Sequence, residues 1–212
     1  DLILDLRFNI LDKYIDYFVI VESKFKHNGD IKGKNFNINN FSKFKNKIKY
    51  IYLDKEPNNI QHINKEDSDK DKRRKLIHNA YARENYQRDC IDQGLNQSKD
   101  DDLIIISDVD EIPNLEKINL ENKNEFFLFE QKMLYYKLNL IYENFIWYGS
   151  KACRKNKLKN PQWLRNIKNK KYSKLRVDIL FSEKKYSNIK FINNGGWHFT
   201  NIKKPKEIFT KM

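Results

Sequence analysis

Apolar side chains repeat at helical spacing from the first residues of the chain. Leu4, Phe8 and Leu11, flanked by Ile3, Leu6 and Ile10, predict a helix over residues 2–13. Tyr17 to Val21 reads as a buried strand ending at Glu22-Ser23, and Ile48 to Leu53 as a second strand. Between them, residues 29–40 have the polar, glycine-containing texture of a loop, and residues 54–71 are polar again. A helical pattern runs from Arg73 to about Leu95, with Leu76, Ala80, Tyr81 and Ile91 expected to face the sheet and Gly94 as its stop. Leu103-Ile104-Ile105-Ile106, running into Ser107, is a third strand rich in β-branched residues. Strand, strand, long helix, strand is the opening of an α/β fold.

After Pro113 the texture changes. Residues 126–140 are aromatic and β-prone, and residues 142–148 repeat that character, which predicts an antiparallel or mixed extension. Pro161-Gln162-Trp163-Leu164 starts a short helix. Ile189 to Ile192 and Gly196 to Thr200 are late strands around Gly195-Gly196, and residues 204–212 begin another helix.

Composition narrows the class. A chain of 212 residues with 39% hydrophobic and 14% aromatic content can bury one core, so a single domain over residues 1–212 is expected. No apolar stretch approaches the roughly 20 residues of a membrane span, and the start has no signal-peptide layout. Without an initiator Met the chain reads as a fragment of something longer. Cys90 and Cys153 form neither a disulfide framework nor a metal-type spacing, which fits reducing surroundings. The formal net charge of +13 favours polyanionic partners: nucleotides, nucleic acid, acidic glycans or anionic lipid. The excess is uneven, because residues 151–176 hold eleven Lys/Arg and no acid. With no nucleic-acid motif beside it, that stretch reads as solvated surface, with peripheral membrane contact as a further use, and nucleic acid is not the expected partner.

Against this basic background three acids crowd the exit of the third strand, in Ser107-Asp108-Val109-Asp110-Glu111-Ile112-Pro113. Strand ends of open α/β sheets are where ligands bind. Two carboxylates one residue apart repel each other unless a cation or proton lies between them. A hard divalent ion such as Mg2+ or Mn2+ suits them, and it would neutralise the charge growing on a nucleoside-diphosphate leaving group. The same residues also suit a capped, solvated turn. Phosphatases of the haloacid dehalogenase type place Asp-x-Asp after their first strand; here two strands and a long helix come first, and Glu111-Ile112 departs from their pattern.

Three more segments carry candidate binding residues. Glu22 and Ser23, at a strand's carboxyl end, either hydrogen-bond a base or ribose or simply cap the strand. On the long helix Arg83 and Gln87, and Glu84 and Arg88, stand four apart. They form either a solvated salt-bridge face or a grip on a diphosphate through an inward-turned Arg. Gly195-Gly196 admits close backbone approach, and His198 is either a hydrogen-bonded core residue or a further metal ligand. No G-x-S-x-G elbow, P-loop or dinucleotide fingerprint is present.

Leu2-Ile3-Leu4-Asp5-Leu6-Arg7, IDYFVIVES at 15–23, RENYQR at 83–88, DDLIIISDVDEIP at 101–113 and GGWHF at 195–199 follow one another along nearly the whole chain. In that order they resemble glycosyltransferase family 17, which includes the β-1,4-mannosyl-glycoprotein N-acetylglucosaminyltransferase. The resemblance implies a GT-A-like nucleotide-sugar-binding fold with a central mixed, mostly parallel sheet flanked by helices. It further implies a donor-binding half at 1–113, an acceptor-side half at 114–212, and truncation at both ends. The implied reaction is a metal-dependent, inverting transfer, using Mn2+ or Mg2+, from a nucleotide sugar (UDP-GlcNAc in the animal members) to a glycan or glycoconjugate hydroxyl. By the same resemblance Asp108 and Asp110 match the metal-binding pair, Asp108 also lies at the donor diphosphate, and His198 is a further ligand. Glu22, Ser23, Arg83, Gln87 and Arg88 fall in the other matching segments as donor contacts.

An inverting displacement needs a general base, and Glu111 and Glu130 are the carboxylate candidates. Phe199-Thr200 stands where the animal enzymes have Cys-Ser. The Lys/Ile/Asn-rich style suggests a microbial or viral source with a cytoplasmic or peripheral-membrane setting, and a Golgi lumen only for a chain with an N-terminal anchor. A non-catalytic basic module for nucleic acid or acidic glycan, and an Asp-x-Asp metal-dependent phosphatase, are the alternative functions.

Overall fold

The computed structural model describes residues 2–118 and 126–202. In chain order the regular elements are α1 (Leu2–Leu11), β1 (Phe18–Ser23), β2 (Ile48–Leu53), α2 (Asp69–Asp89), β3 (Leu103–Ile106), β4 (Glu111–Pro113), β5 (Phe126–Phe129), β6 (Gln131–Tyr135), β7 (Ile141–Trp147), β8 (Lys151–Arg154), α3 (Pro161–Asn166), β9 (Ile189–Ile192) and β10 (Gly196–Thr200). The chain is α/β, and it divides into two compact units. One unit combines the N-terminal segment through Ile15 with residues 98–159 and the chain from Trp163 onward; the other holds residues 16–97 and 160–162. The predicted helix over 204–212 lies outside the described residues.

In the unit built on residues 16–97, β1 and β2 pair in parallel, from Phe18 opposite Ile48 to Ser23 opposite Leu53. Ser68 caps α2 by accepting from the Asp71 N–H at 3.1 Å, and Asp69 and Asp71 complement the helix dipole in its first turn. The face α2 buries differs from the expected one. Leu76 and Tyr81 are exposed, whereas Asn79 and Ala82 are buried. The Asn79 amide explains this: it accepts from the Gln61 N–H and donates to the Gln61 carbonyl, both at 2.8 Å. That helix face is thus fixed by a polar clamp on a loop as well as by apolar packing.

The other unit holds two four-stranded sheets, ordered β4-β10-β6-β7 and β3-β8-β5-β9. A mostly parallel central sheet is not what these residues form. Both sheets are mixed, and β8, β4 and β7 run antiparallel to their neighbours. The short β6–β7 connection enforces one such pairing, since only antiparallel strands can be joined by a tight turn. β8, which the sequence presented as the start of a basic surface, is instead an interior strand between β3 and β5. Every residue of β5 is buried, and Ala152, Cys153, Leu164, Ile167 and Ile189 complete the core around it. No helix among the described residues is long and apolar enough to cross a membrane.

Gly196 lets β10 approach β4. Its φ is +124°, and a β-carbon there would stand 2.1 Å from the Ile112 carbonyl oxygen. Gly196→Ala should lower unfolding stability by roughly 3 kcal/mol. Gly33→Ala, with open space around it, should stay within about 0.5 kcal/mol of the parent. Denaturant titration of both variants reads the difference.

Candidate active site

Three acids adjacent in sequence acquire three different environments. Glu111, on β4, has no solvent exposure. Its Oε1 accepts from the Trp147 Nε1–H at 2.6 Å and from Arg165 Nη2 at 3.0 Å. Its Oε2 accepts from the Asp108 N–H at 3.0 Å, from Arg165 Nη1 at 2.8 Å and, more weakly, from the Ser150 hydroxyl at 3.4 Å. Asp108, whose side chain is 41% exposed, pairs with Arg165 Nη2 at 2.8 Å. Asp110, equally exposed, faces His198 Nε2 at 3.5 Å. The turn is closed by the Glu111 N–H donating to the Asp108 carbonyl at 3.1 Å.

Two guanidinium groups hold this turn from opposite ends of the sequence. Arg165, on α3, grips Glu111 with two parallel bonds and reaches Asp108 as well. Arg7, on α1, donates to the Asp108 and Glu111 carbonyls and to the Ser107 hydroxyl. Burial pulls the Arg7 guanidinium below its ordinary value, and the charges of Glu111, Asp108 and Asp110 oppose that pull. It stays protonated. Three carboxylates against two guanidiniums leave about one negative charge, on Asp110, to which neither guanidinium donates.

His198 sits on β10 directly opposite Glu111 on β4, so both project from the same sheet face. Its ring stacks on Trp147 at 4.7 Å between centroids with planes 27° apart. His198 Nδ1 is buried without a hydrogen-bond partner among the described residues. Asp110 and His198 offer one oxygen and one nitrogen donor to a common point. No group of three or more His, Cys, Asp or Glu among the described residues is placed to hold a metal by itself. A two-donor set nevertheless fits Mg2+ or Mn2+, which are commonly held by one or two carboxylates together with substrate phosphates and water.

The family model of glycosyltransferase family 17 matches residues 1–198. The chain belongs to glycosyltransferase family 17. Neither among curated proteins nor among solved structures is there a match to it. Family 17 membership makes the chain a glycosyltransferase and implies a nucleotide-sugar donor and a glycan acceptor.

The donor-contact candidates of this family 17 chain, Glu22, Ser23, Arg83, Gln87 and Arg88, lie in the unit built on residues 16–97. Glu22 accepts from the Asn35 N–H at 2.8 Å, the Phe36 N–H at 3.1 Å and the Tyr50 hydroxyl at 2.9 Å, with Lys32 at 3.6 Å. Burial pushes its carboxyl upward, but these donors outweigh burial and hold it below the usual range. Ser23 accepts from the Phe25 N–H at 3.0 Å. Arg83 pairs with Glu56 at 2.6 Å and donates to the His27 carbonyl at 3.0 Å, Gln87 donates to the Val21 carbonyl at 2.9 Å, and Arg88 bridges Glu84 and Gln162. Each therefore makes structural contacts inside its own unit. Glu130, between β5 and β6, accepts from the Tyr148 hydroxyl at 3.0 Å. Burial and that bond push the Tyr148 phenol upward, so it remains a donor.

Arg165, Trp147 and Lys151 went unnoticed in the sequence because nothing local marks them. Arg165 and Lys151 lie in the basic run and Trp147 in an aromatic strand. Arg7 stood in a matching segment without a role. Lys151 is buried and donates to the Arg165 and Ile167 carbonyls at 2.7 and 2.5 Å, tethering the segment that carries Arg165.

Arg165→Met should cost about 3–5 kcal/mol, because it strands a buried carboxylate. Arg176→Ala, which breaks an exposed pair with Asp178, should leave the melting temperature unchanged. Burial, reinforced by Arg165, pulls the Lys151 ammonium from 10.5 to about 7, against the opposing pull of Glu111. Between those values the unfolded chain binds a proton that the folded chain lacks, so this contribution makes stability rise with pH and its penalty is complete below about 7. Lys151→Met should flatten the rise in unfolding free energy measured between pH 7 and 10.

Proposed function

We propose that this chain transfers a sugar, GlcNAc from UDP-GlcNAc, to a glycan hydroxyl by an inverting displacement, with Asp110 and His198 holding Mn2+ or Mg2+ at the donor diphosphate. The observation that carries this reading is the Asp110–His198 pair, which brings the Asp-x-Asp turn and the Gly-Trp-His strand together at 3.5 Å. A divalent cation held there would neutralise the charge that grows on the diphosphate leaving group. Arg165 and Arg7 keep Asp108 and Glu111 compensated, so Asp110 presents its carboxylate without collapsing onto its neighbours. Trp147 holds the His198 ring by stacking while its N–H anchors Glu111.

Of the two base candidates, Glu130 suits the acceptor proton better. Glu111 is wholly buried with both oxygens occupied by donors, which is the setting of a positioning residue. Glu130 is half-buried, with the Tyr148 hydroxyl orienting one oxygen. The parallel β1–β2 pair and an Asp-x-Asp turn following β3 support a GT-A-like arrangement.

Asp110→Asn should lower Mn2+-dependent UDP binding and sugar transfer by about 100-fold or more while leaving the circular dichroism spectrum intact. Glu130→Gln should abolish transfer and spare UDP binding. Calorimetric UDP titration with and without Mn2+, beside a donor screen of UDP-, GDP- and CMP-sugars, reads both. Unchanged UDP affinity in Asp110→Asn would count decisively against the assignment.

A further inference from the structure

The β6–β7 arm leaves an unusual amount of aromatic surface in water. Tyr142 is 55% exposed, Tyr136 48% and Phe145 42%. Tyr136 is also held at φ +62°, a left-handed conformation that a bulky aromatic residue rarely adopts. Exposed aromatic rings and local strain both oppose folding, and where they coincide the arrangement points to a binding role.

The rings form an ordered line. Neighbouring centroids are 5.7 Å apart from Tyr136 to Tyr135, 6.0 Å on to Tyr142, 6.2 Å to Phe145 and 6.3 Å to Trp147. From Tyr142 through Phe145 and Trp147 to His198, successive planes tilt by only 27–36°. The line exists because β7 is irregular. Gln131 stands opposite Trp147 and Lys132 opposite Ile146, but Met133 stands opposite Tyr142, so residues 143–145 are looped out. Tyr142 and Trp147 are an odd number of residues apart, and a regular strand would point them to opposite faces. The bulge restores them to one face, shared with Met133, with His198 opposite Met133, and with Glu111 opposite His198.

We propose that this strip is the acceptor subsite: an oligosaccharide of three or more sugars lies along β7, stacked on Tyr142 and Phe145, with its reacting end beyond Trp147 at Asp110 and His198. The assignment rests on the transferase reading above. Pyranose rings carry aligned C–H groups on one face and hydroxyls at their rim. A row of similarly oriented aromatic faces binds the former and leaves the latter in water. The exposed Glu143 and Asn144 of the bulge supply hydrogen-bonding groups beside the rings. Continuity with the proposed transfer site selects a glycan over other occupants, because the line ends on the ring that faces Asp110.

The test uses the whole chain on immobilised oligosaccharides of two to eight sugars, neutral, sialylated and sulfated, with UDP binding in Mn2+ measured in parallel. The parent should retain a subset of at least three sugars. Tyr142→Ala/Phe145→Ala should lose tenfold or more of that signal with UDP binding unchanged, and Tyr142→Phe should keep it. The single variants Tyr142→Ala and Phe145→Ala, both at exposed positions, guard against a folding loss in the double variant. A parent that retains no glycan overturns the proposal, as do single and double variants that bind like the parent. A parent dimer in sedimentation that the double variant abolishes also overturns it, assigning the strip to self-association. Glycan retention that depends on the strip in a parent that binds no UDP sinks the transfer reading and, with it, the acceptor role, leaving the strip as a glycan-binding surface.

Discussion

Glu111 is a charged group with no access to water, surrounded by donors from three separate stretches of chain: Arg165, the neighbouring Trp147 and Ser150, and the backbone of Asp108. A buried carboxylate is tolerated only when its charge is met by a cation and its lone pairs by hydrogen bonds. That requirement fixes α3 through Arg165, β7 through Trp147 and the strand-exit turn through the Asp108 amide. Gly149 shows how tightly the group is enclosed: a β-carbon there would lie 1.8 Å from Glu111 Oε1 and 2.1 Å from Trp147 Nε1. The rest of the site is arranged around this immovable centre.

Its consequence is a division of labour among three acids that look equivalent on paper. With Glu111 serving as anchor and Asp108 compensated by the same guanidinium, Asp110 keeps an open carboxylate beside His198. The first cations to answer the repulsion within the Asp-x-Asp turn are thus the protein's own, Arg165 and Arg7. This lowers the local charge to about one, instead of leaving three uncompensated carboxylates. Two arginines from the basic excess therefore act at an acidic turn.

Much of the secondary structure was legible because its signals are local. The α1 stripe, the β-branched run of β3, the strand Ile48–Leu53 and the late strands around Gly195-Gly196 all carry their period within a few residues. The exposed side of α2 was misread because Asn79 turns inward to clamp Gln61, and a periodicity count treats Asn as polar surface. β8 was missed because Lys151 and Arg154 bracket only two small residues, and burial of Lys151 depends on carbonyls that arrive from residues 165 and 167. The expected mixed sheet is not mostly parallel, because the second half of the chain supplies antiparallel partners for β3, β4 and β6.

By itself the sequence determined the family, the Asp-x-Asp turn after a buried strand, and the late Gly-Trp-His strand, since each depends on residue identity within a short window. Only the tertiary structure decided which acid is buried, which is compensated and which stays open. Burial and pairing are properties of what approaches from elsewhere: Arg7 from about a hundred residues upstream, Arg165 from more than fifty downstream, and His198 in register across β4–β10. The facing of Tyr142 and Trp147 is of the same kind. Their spacing predicts opposite faces, and a bulge that appears only when β7 pairs with β6 sets them side by side.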